Sequence, residues 1–157
     1  MDFRDTAEEA SFRDEVRAWF AASLPDELHG HRGGAARFDG PEVRAWSRAL
    51  YDAGWAGISW PSEYGGRGLS PRFQAIYLEE EARAEAPPHV GVISLGMAGP
   101  TIISHGTDAQ KARYLQPLLS AEEIWCQGFS EPGAGSDLAS VRTRAELRDG
   151  RYFVNGQ

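Results

Sequence analysis

The residues with the sharpest chemical meaning lie in one short stretch, Glu131-Pro132-Gly133-Ala134-Gly135-Ser136-Asp137. Glycines let a main chain approach a ligand closely, and successive amides can form a concave nest for anionic phosphate oxygens. Ser130 and Ser136 add hydroxyl groups. The stretch is neither of the common nucleotide motifs. No lysine follows in the sense of GK[ST], and Leu138 stands where the third glycine of GxGxxG is required. Taken alone, a glycine-rich turn after a strand is more often only a turn.

Other residues carry weaker chemistry. Trp125 and Phe129 could border a flat aromatic ligand, but strand interiors normally bury such side chains, so core packing is the favoured reading of both. Cys126, in the same apolar segment, reads as a packing residue rather than a nucleophile. Ser136, Asp137 and His105 do not form the G-x-S-x-G elbow of a hydrolase. His29, His31, His89 and His105 lack ligand-like spacing with carboxylates or cysteines, so no metal site is expected. His105 precedes a glycine at a helix end and suits a terminal role there. Glu79, Glu80 and Glu81 are consecutive on a helix and point different ways, which predicts a solvated face.

The elements that must position the loop are mostly helical. Thr6 and Glu9 make a capping-box pattern, and Phe12, Val16, Trp19 and Phe20 follow at helical spacing as far as Leu24 and Pro25. Residues 26–39 read as a flexible loop. Pro41 opens a second helix with Val43, Trp46 and Leu50 on one face and Gly54 as a left-handed cap. Ser70-Pro71 repeats the start signal for a third helix with Phe73, Ile76 and Tyr77, running to about Glu85. Residues 89–105 are small and apolar and predict buried helix interrupted near Pro100. Thr107 and Gln110 form another capping box, with Tyr114, Leu115 and Leu118 facing inward. Beyond residue 120, Ile124 to Ser130 is β-compatible. Thr143, Ala145 and Leu147, then Tyr152 and Val154, alternate around Asp149-Gly150 as a hairpin. The fold class is therefore mainly α: a helical domain, 1–121, then the first strands of a β domain, 122–157. A lone hairpin is a poor stopping point, which predicts a longer parent chain.

Composition sets outer limits. The 157 residues are 41% hydrophobic and 25% charged, as in an ordinary folded domain. A formal charge of −7 repels phosphate backbones, and Arg142, Arg144, Arg148 and Arg151 are dispersed rather than gathered in a stripe, so no nucleic-acid partner is expected. One cysteine allows no intrachain disulfide. The acidic start and the lack of an apolar run long enough for a membrane span predict a cytoplasmic protein.

The string WCQGFSEPGAGSDLASVRTRAELRDGRYFVNGQ resembles the acyl-CoA dehydrogenase family, through Ser130, Glu131, Gly133, Gly135, Ser136 and Asp137 in fixed register. Upstream, SHGTDAQKARYLQPLLSAEEIW and GWAGISWPSEYGGRGLS are similar to segments of the same family, so the likeness runs along the whole chain. It implies an N-terminal helical domain, a central β domain and a C-terminal helical bundle, the last outside these residues. It implies FAD as cofactor. The main chain of Gln127 and Phe129 and the Ser130 hydroxyl would meet the flavin ring. Gly133, Gly135 and Ser136 would reach the pyrophosphate, and Ser136 the pantetheine arm of an acyl-CoA substrate. Small residues such as Gly96 and Gly99 would wall the acyl cavity. The implied reaction is α,β-desaturation with hydride transfer to FAD, in lipid catabolism, with an electron-transfer acceptor and a homo- or hetero-oligomeric state. The family's catalytic glutamate lies in the bundle, so no residue here is assigned that role. Two other readings stay open: an interaction module completing its sheet with a partner's strands, and an inactive relic.

Overall fold

The computed structural model describes residues 4–30 and 40–157. The chain divides into two compact units, Met1–Trp125 and Cys126–Gln157. Among the described residues the first holds five α-helices and the second a single hairpin.

Helix α1 (Ala7–Ser23) begins at the predicted capping box: the Glu9 amide donates to the Thr6 hydroxyl at 3.2 Å, and the Thr6 amide to the Glu9 carboxylate at 2.7 Å. Phe12, Val16 and Phe20 are its buried stripe, and Leu24 turns extended before Pro25. A tight turn, Asp26–Leu28, then buries Leu28 where an open loop was expected. The rest of that loop, 31–39 with His31, lies outside the described residues. Helix α2 (Pro41–Asp52) ends on Gly54, whose φ of 73° is the left-handed cap expected of it. The Trp55 amide donates back to Leu50 at 2.7 Å and the Gly54 amide to Tyr51 at 2.9 Å, the paired bonds that close a helix around such a glycine.

Helix α3 (Pro71–Arg83) starts on proline as expected, although Ser70 supplies no side-chain cap. Against it packs α1, and side chains of α2 and the Trp55–Ile58 stretch join them in a core of Phe12, Val16, Phe20, Trp46, Leu50, Trp55, Ile58, Ile76 and Tyr77. The acidic triplet departs from expectation: Glu80 and Glu81 are only 2% and 3% exposed. Arg13 and Arg17 on α1 each reach Glu80 at 2.9 Å, and Arg83 approaches it at 3.3 Å. The Tyr77 hydroxyl donates to Glu81 at 3.2 Å. Buried carboxylates are tolerated only when so paired.

A π-helical turn, Ser94–Ala98, runs directly into α4 (Gly99–His105), with Pro100 in its first turn. Ile93 and Ala98 already have helical φ and ψ, so the helix runs on through the proline, and the interruption expected near Pro100 takes the form of the π-helical turn just ahead of it. Only one side of this segment is buried; Val92 and Met97 are exposed. Helix α5 (Asp108–Leu119) has the predicted capping box at Thr107 and Gln110. Its Leu115, Leu118 and Leu119 join Ala56 and Trp60 in a second core cluster. Past α5 the chain stays tied to this unit: Glu123 pairs with Arg113 at 2.6 Å, and the Trp125 ring meets Tyr114 edge-on at 5.1 Å. The Trp125 amide donates to the Ser94 hydroxyl at 3.1 Å.

In the second unit β1 (Arg144–Arg148) pairs antiparallel with β2 (Arg151–Asn155), Ala145 opposite Val154 and Leu147 opposite Tyr152. Asp149 and Gly150 have φ of 50° and 75°, the two left-handed residues of the predicted hairpin turn. Residues 124–130 are in no strand, contrary to their β-compatible composition. A strand exists only through its pairing, and among the described residues the one ladder is β1 with β2.

Candidate functional site

The glycine-rich loop is built from two small closures and a clasp. Glu131 and Ala134 exchange main-chain hydrogen bonds of 3.0 and 2.9 Å, making a tight turn over Pro132-Gly133. Farther on, the Ser140 amide donates to the Asp137 carbonyl at 3.2 Å, and the Ser140 hydroxyl donates to the Asp137 carboxylate. The Glu131 carboxylate then fastens the start of the loop to its return. One oxygen accepts from the Arg142 amide; the other accepts from the Thr143 amide at 3.0 Å and its hydroxyl at 2.7 Å. The Thr143 hydroxyl, and after it the Arg142 amide, hold this carboxyl below its ordinary value.

Between the closures the main chain is open. Among the described residues the amides of Gly133, Gly135 and Ser136 have no hydrogen-bond partner. A Cβ added at Gly133 or Gly135 would meet nothing within 4 Å, and neither residue has a positive φ. Contrast Gly66 and Gly99, where a Cβ would lie 2.1 Å from the Trp60 carbonyl and 2.0 Å from the Trp60 ring. Those glycines are demanded by packing. Gly133 and Gly135 are demanded by nothing inside their own unit.

The residues expected to hold a cofactor, Gln127, Phe129, Ser130, Gly133, Gly135 and Ser136, all lie in the second unit, and all are exposed. Phe129 is 71% exposed and Cys126 is exposed too, correcting the packing role expected of both. The reason is the missing strand: unpaired backbone at 124–130 carries no second layer to cover its side chains. Trp125 does pack, against Tyr114. The sequence motif contains Glu131 without giving it a task. Its type was the available signal, because a carboxylate beside a phosphate nest is repulsive unless donors within the protein hold it.

The helical unit carries a cleft of about 400 Å³ whose lining includes Trp55, Trp60, Tyr77, Glu81, Val92 and Gly96. Gly96 faces open space, whereas Gly99 is closed off by Trp60, so of the two glycines expected along an acyl wall only Gly96 is available. His89 also borders the cleft. Burial, opposed only by the Leu119 backbone, lowers its pKa to about 4, and its Nδ1 accepts from the Gly91 amide at 2.9 Å. Among the described residues no three His, Cys, Asp or Glu side chains converge as a metal site, and no helix is long and apolar enough to cross a membrane.

Residues 6–122 match the family model described as acyl-CoA dehydrogenase, N-terminal domain. The chain belongs to the acyl-CoA dehydrogenase family. It is 45% identical over 150 residues to acyl-CoA dehydrogenase IpdE1 of Mycobacterium tuberculosis, covering 93% of this chain and 39% of that protein. Among solved structures it is similar to the Tcur3481-Tcur3483 steroid ACAD, with a TM-score of 0.84, 37% identity and coverage of 99% and 40% of the two chains. It is similar to the ChsE4-ChsE5 complex of Mycobacterium tuberculosis, with a TM-score of 0.81, 36% identity and coverage of 99% and 39%. An acyl-CoA dehydrogenase from Bacillus anthracis, solved with FAD, shares 26% identity at a TM-score of 0.68, over 97% of this chain and 26% of that one. The chain thus spans about two-fifths of the length of the curated relative, and membership of this family implies a flavin cofactor.

Proposed function

We propose that this chain supplies the FAD-binding loop and part of the acyl cavity of a dehydrogenase that desaturates acyl-CoA thioesters between Cα and Cβ. The observation that carries this reading is the pair Gly133 and Gly135, exposed, uncrowded and flanked by unpartnered amides. A loop so built fits a diphosphate, because main-chain N–H groups can converge on phosphate oxygens with no side chain in the way. Gly133, Gly135 and Ser136 take the pyrophosphate, and Ser136 also meets the pantetheine arm. The main chain of Gln127 and Phe129 and the Ser130 hydroxyl bond the flavin ring, whose chemistry, when bound, is hydride acceptance. Amides at the ring's pyrimidine end favour the negative charge that reduction places there. The exposed Phe129 ring gains an apolar neighbour from the same ligand.

In this reading residues 1–121 form the helical domain and 122–157 open the β domain. The catalytic base is assigned to no residue here. The open side of Gly96, with the likeness to a protein described as a steroid ACAD, supports a bulky acyl group in the helical cleft. The likeness to a two-protein complex supports an oligomer, homo- or heteromeric. An electron-transfer acceptor, a cytoplasmic location and a place in lipid catabolism complete the reading. Expressed from the full reading frame that contains this chain, the protein should be yellow and its flavin absorbance should bleach anaerobically with a cyclic acyl-CoA. A flavin that no acyl-CoA bleaches, whatever the acyl group, would count against the activity.

A further inference from the structure

The clasp made by Glu131 has a use beyond closing a turn. We propose that Glu131 is a positioning residue for the diphosphate site: it pins the loop's start to Arg142 and Thr143, fixing the open amides of Gly133, Gly135 and Ser136. The proposal rests on the FAD reading above.

Three features support it. First, the Glu131 carboxylate meets three donors across the loop's return, from residues 11 and 12 positions farther on. Among the described residues it is the one side chain that ties the loop's first residue to the segment just ahead of β1. Second, the return is itself held from the far side. A Cβ at Gly156 would fall 2.0 Å from the Thr143 hydroxyl oxygen, so the chain leaving β2 runs directly against Thr143. Thr143 is thereby confined between the Glu131 carboxylate and the Gly156 backbone. Third, the identity of residue 131 conflicts with a simple electrostatic role. A carboxylate near a phosphate nest repels the ligand, so a glutamate here must return something in exchange for its charge. Charge-assisted bonds to two amides and a hydroxyl supply that return, and they are about twice as strong as neutral ones.

This opposition makes the sign of one substitution decisive. Glu131→Gln removes the negative charge, which by electrostatics alone would strengthen binding of an anion. It also replaces one acceptor oxygen by an N–H donor facing donors, so the Arg142 or the Thr143 contact must open. If positioning dominates, affinity falls.

The test uses the protein expressed from its full reading frame, with flavin titrations by fluorescence and hydrogen–deuterium exchange over the peptide spanning 140–145. For Glu131→Gln we expect faster exchange there and an FAD dissociation constant raised about ten-fold, the size expected for a lost charge-assisted contact. Binding of riboflavin, which has the ring but no diphosphate, should not change. Thr143→Val should follow in part, and Thr143→Ser, which keeps the hydroxyl, should match the wild type. FAD binding by Glu131→Gln that is equal to or tighter than that of the wild type would overturn the positioning role, whatever the exchange shows. A wild-type protein that binds no FAD, with exchange still quickened by Glu131→Gln, would instead overturn the flavin reading and leave only the clasp.

Discussion

Two buried side chains of the helical unit make its stability depend on acid. His89 is 6% exposed, and burial lowers its pKa from 6.5 to about 4. Between those values the unfolded chain binds a proton that the folded one refuses, so stability rises with pH across that window and falls as the solution is acidified. The full effect is about 3 kcal/mol. Glu80 acts in the same direction at lower pH. Burial pushes its carboxyl up, but hydrogen bonds from Arg17 and Arg13 outweigh this and hold it below 4.5. Its contribution is present above the unfolded value and is lost as pH falls through the folded one. Thermal melts from pH 7 to 4 should show a falling Tm, and His89→Gln should flatten the upper part of that slope; an unchanged slope would show that His89 is not buried neutral. Neither role was legible in the sequence. The partners of Glu80 lie 63 and 67 residues away, and nothing local distinguishes it from the exposed Glu79.

At the scale of elements, the sequence was most legible where the deciding atoms are close along the chain. Both capping boxes, the Gly54 cap and the Asp149-Gly150 turn are bonds within a few residues, and all were read correctly. Legibility failed at 124–130, because composition sets a preference for extended backbone while pairing depends on distant strands. Near Pro100 the expected interruption takes the form of a π-helical turn ahead of the proline, a form that composition does not specify. The segment 94–105 yields a paired prediction. Gly99→Ala drives a methyl into the Trp60 ring, itself 3% exposed and fixed by its Nε1 donating to Leu95 at 3.1 Å. A cost of about 1–3 kcal/mol is expected from such overpacking. Gly96→Ala meets nothing within 4 Å and should leave thermal stability equal or slightly raised. Equal melting of the two variants would refute this account of α4.

For the molecule as a whole, the two units have different relations to their own residues. The helical unit largely explains itself: its buried carboxylates are paired, its crowded glycines are set by packing, and its aromatic core leaves only the Trp55 indole N–H buried without a partner among the described residues. In the second unit every strand residue is exposed, and its loop glycines answer to no internal neighbour. The motif's register was fully readable beforehand, and the resemblance it carries agrees with the family match. Its geometry was not, because the clasp depends on how the loop returns to β1. We propose that Gly135 is a glycine for the ligand's sake. Gly135→Val should leave the thermal unfolding of the full-reading-frame apoprotein unchanged while abolishing FAD binding in a fluorescence titration. FAD binding by Gly135→Val at wild-type affinity would contradict the claim.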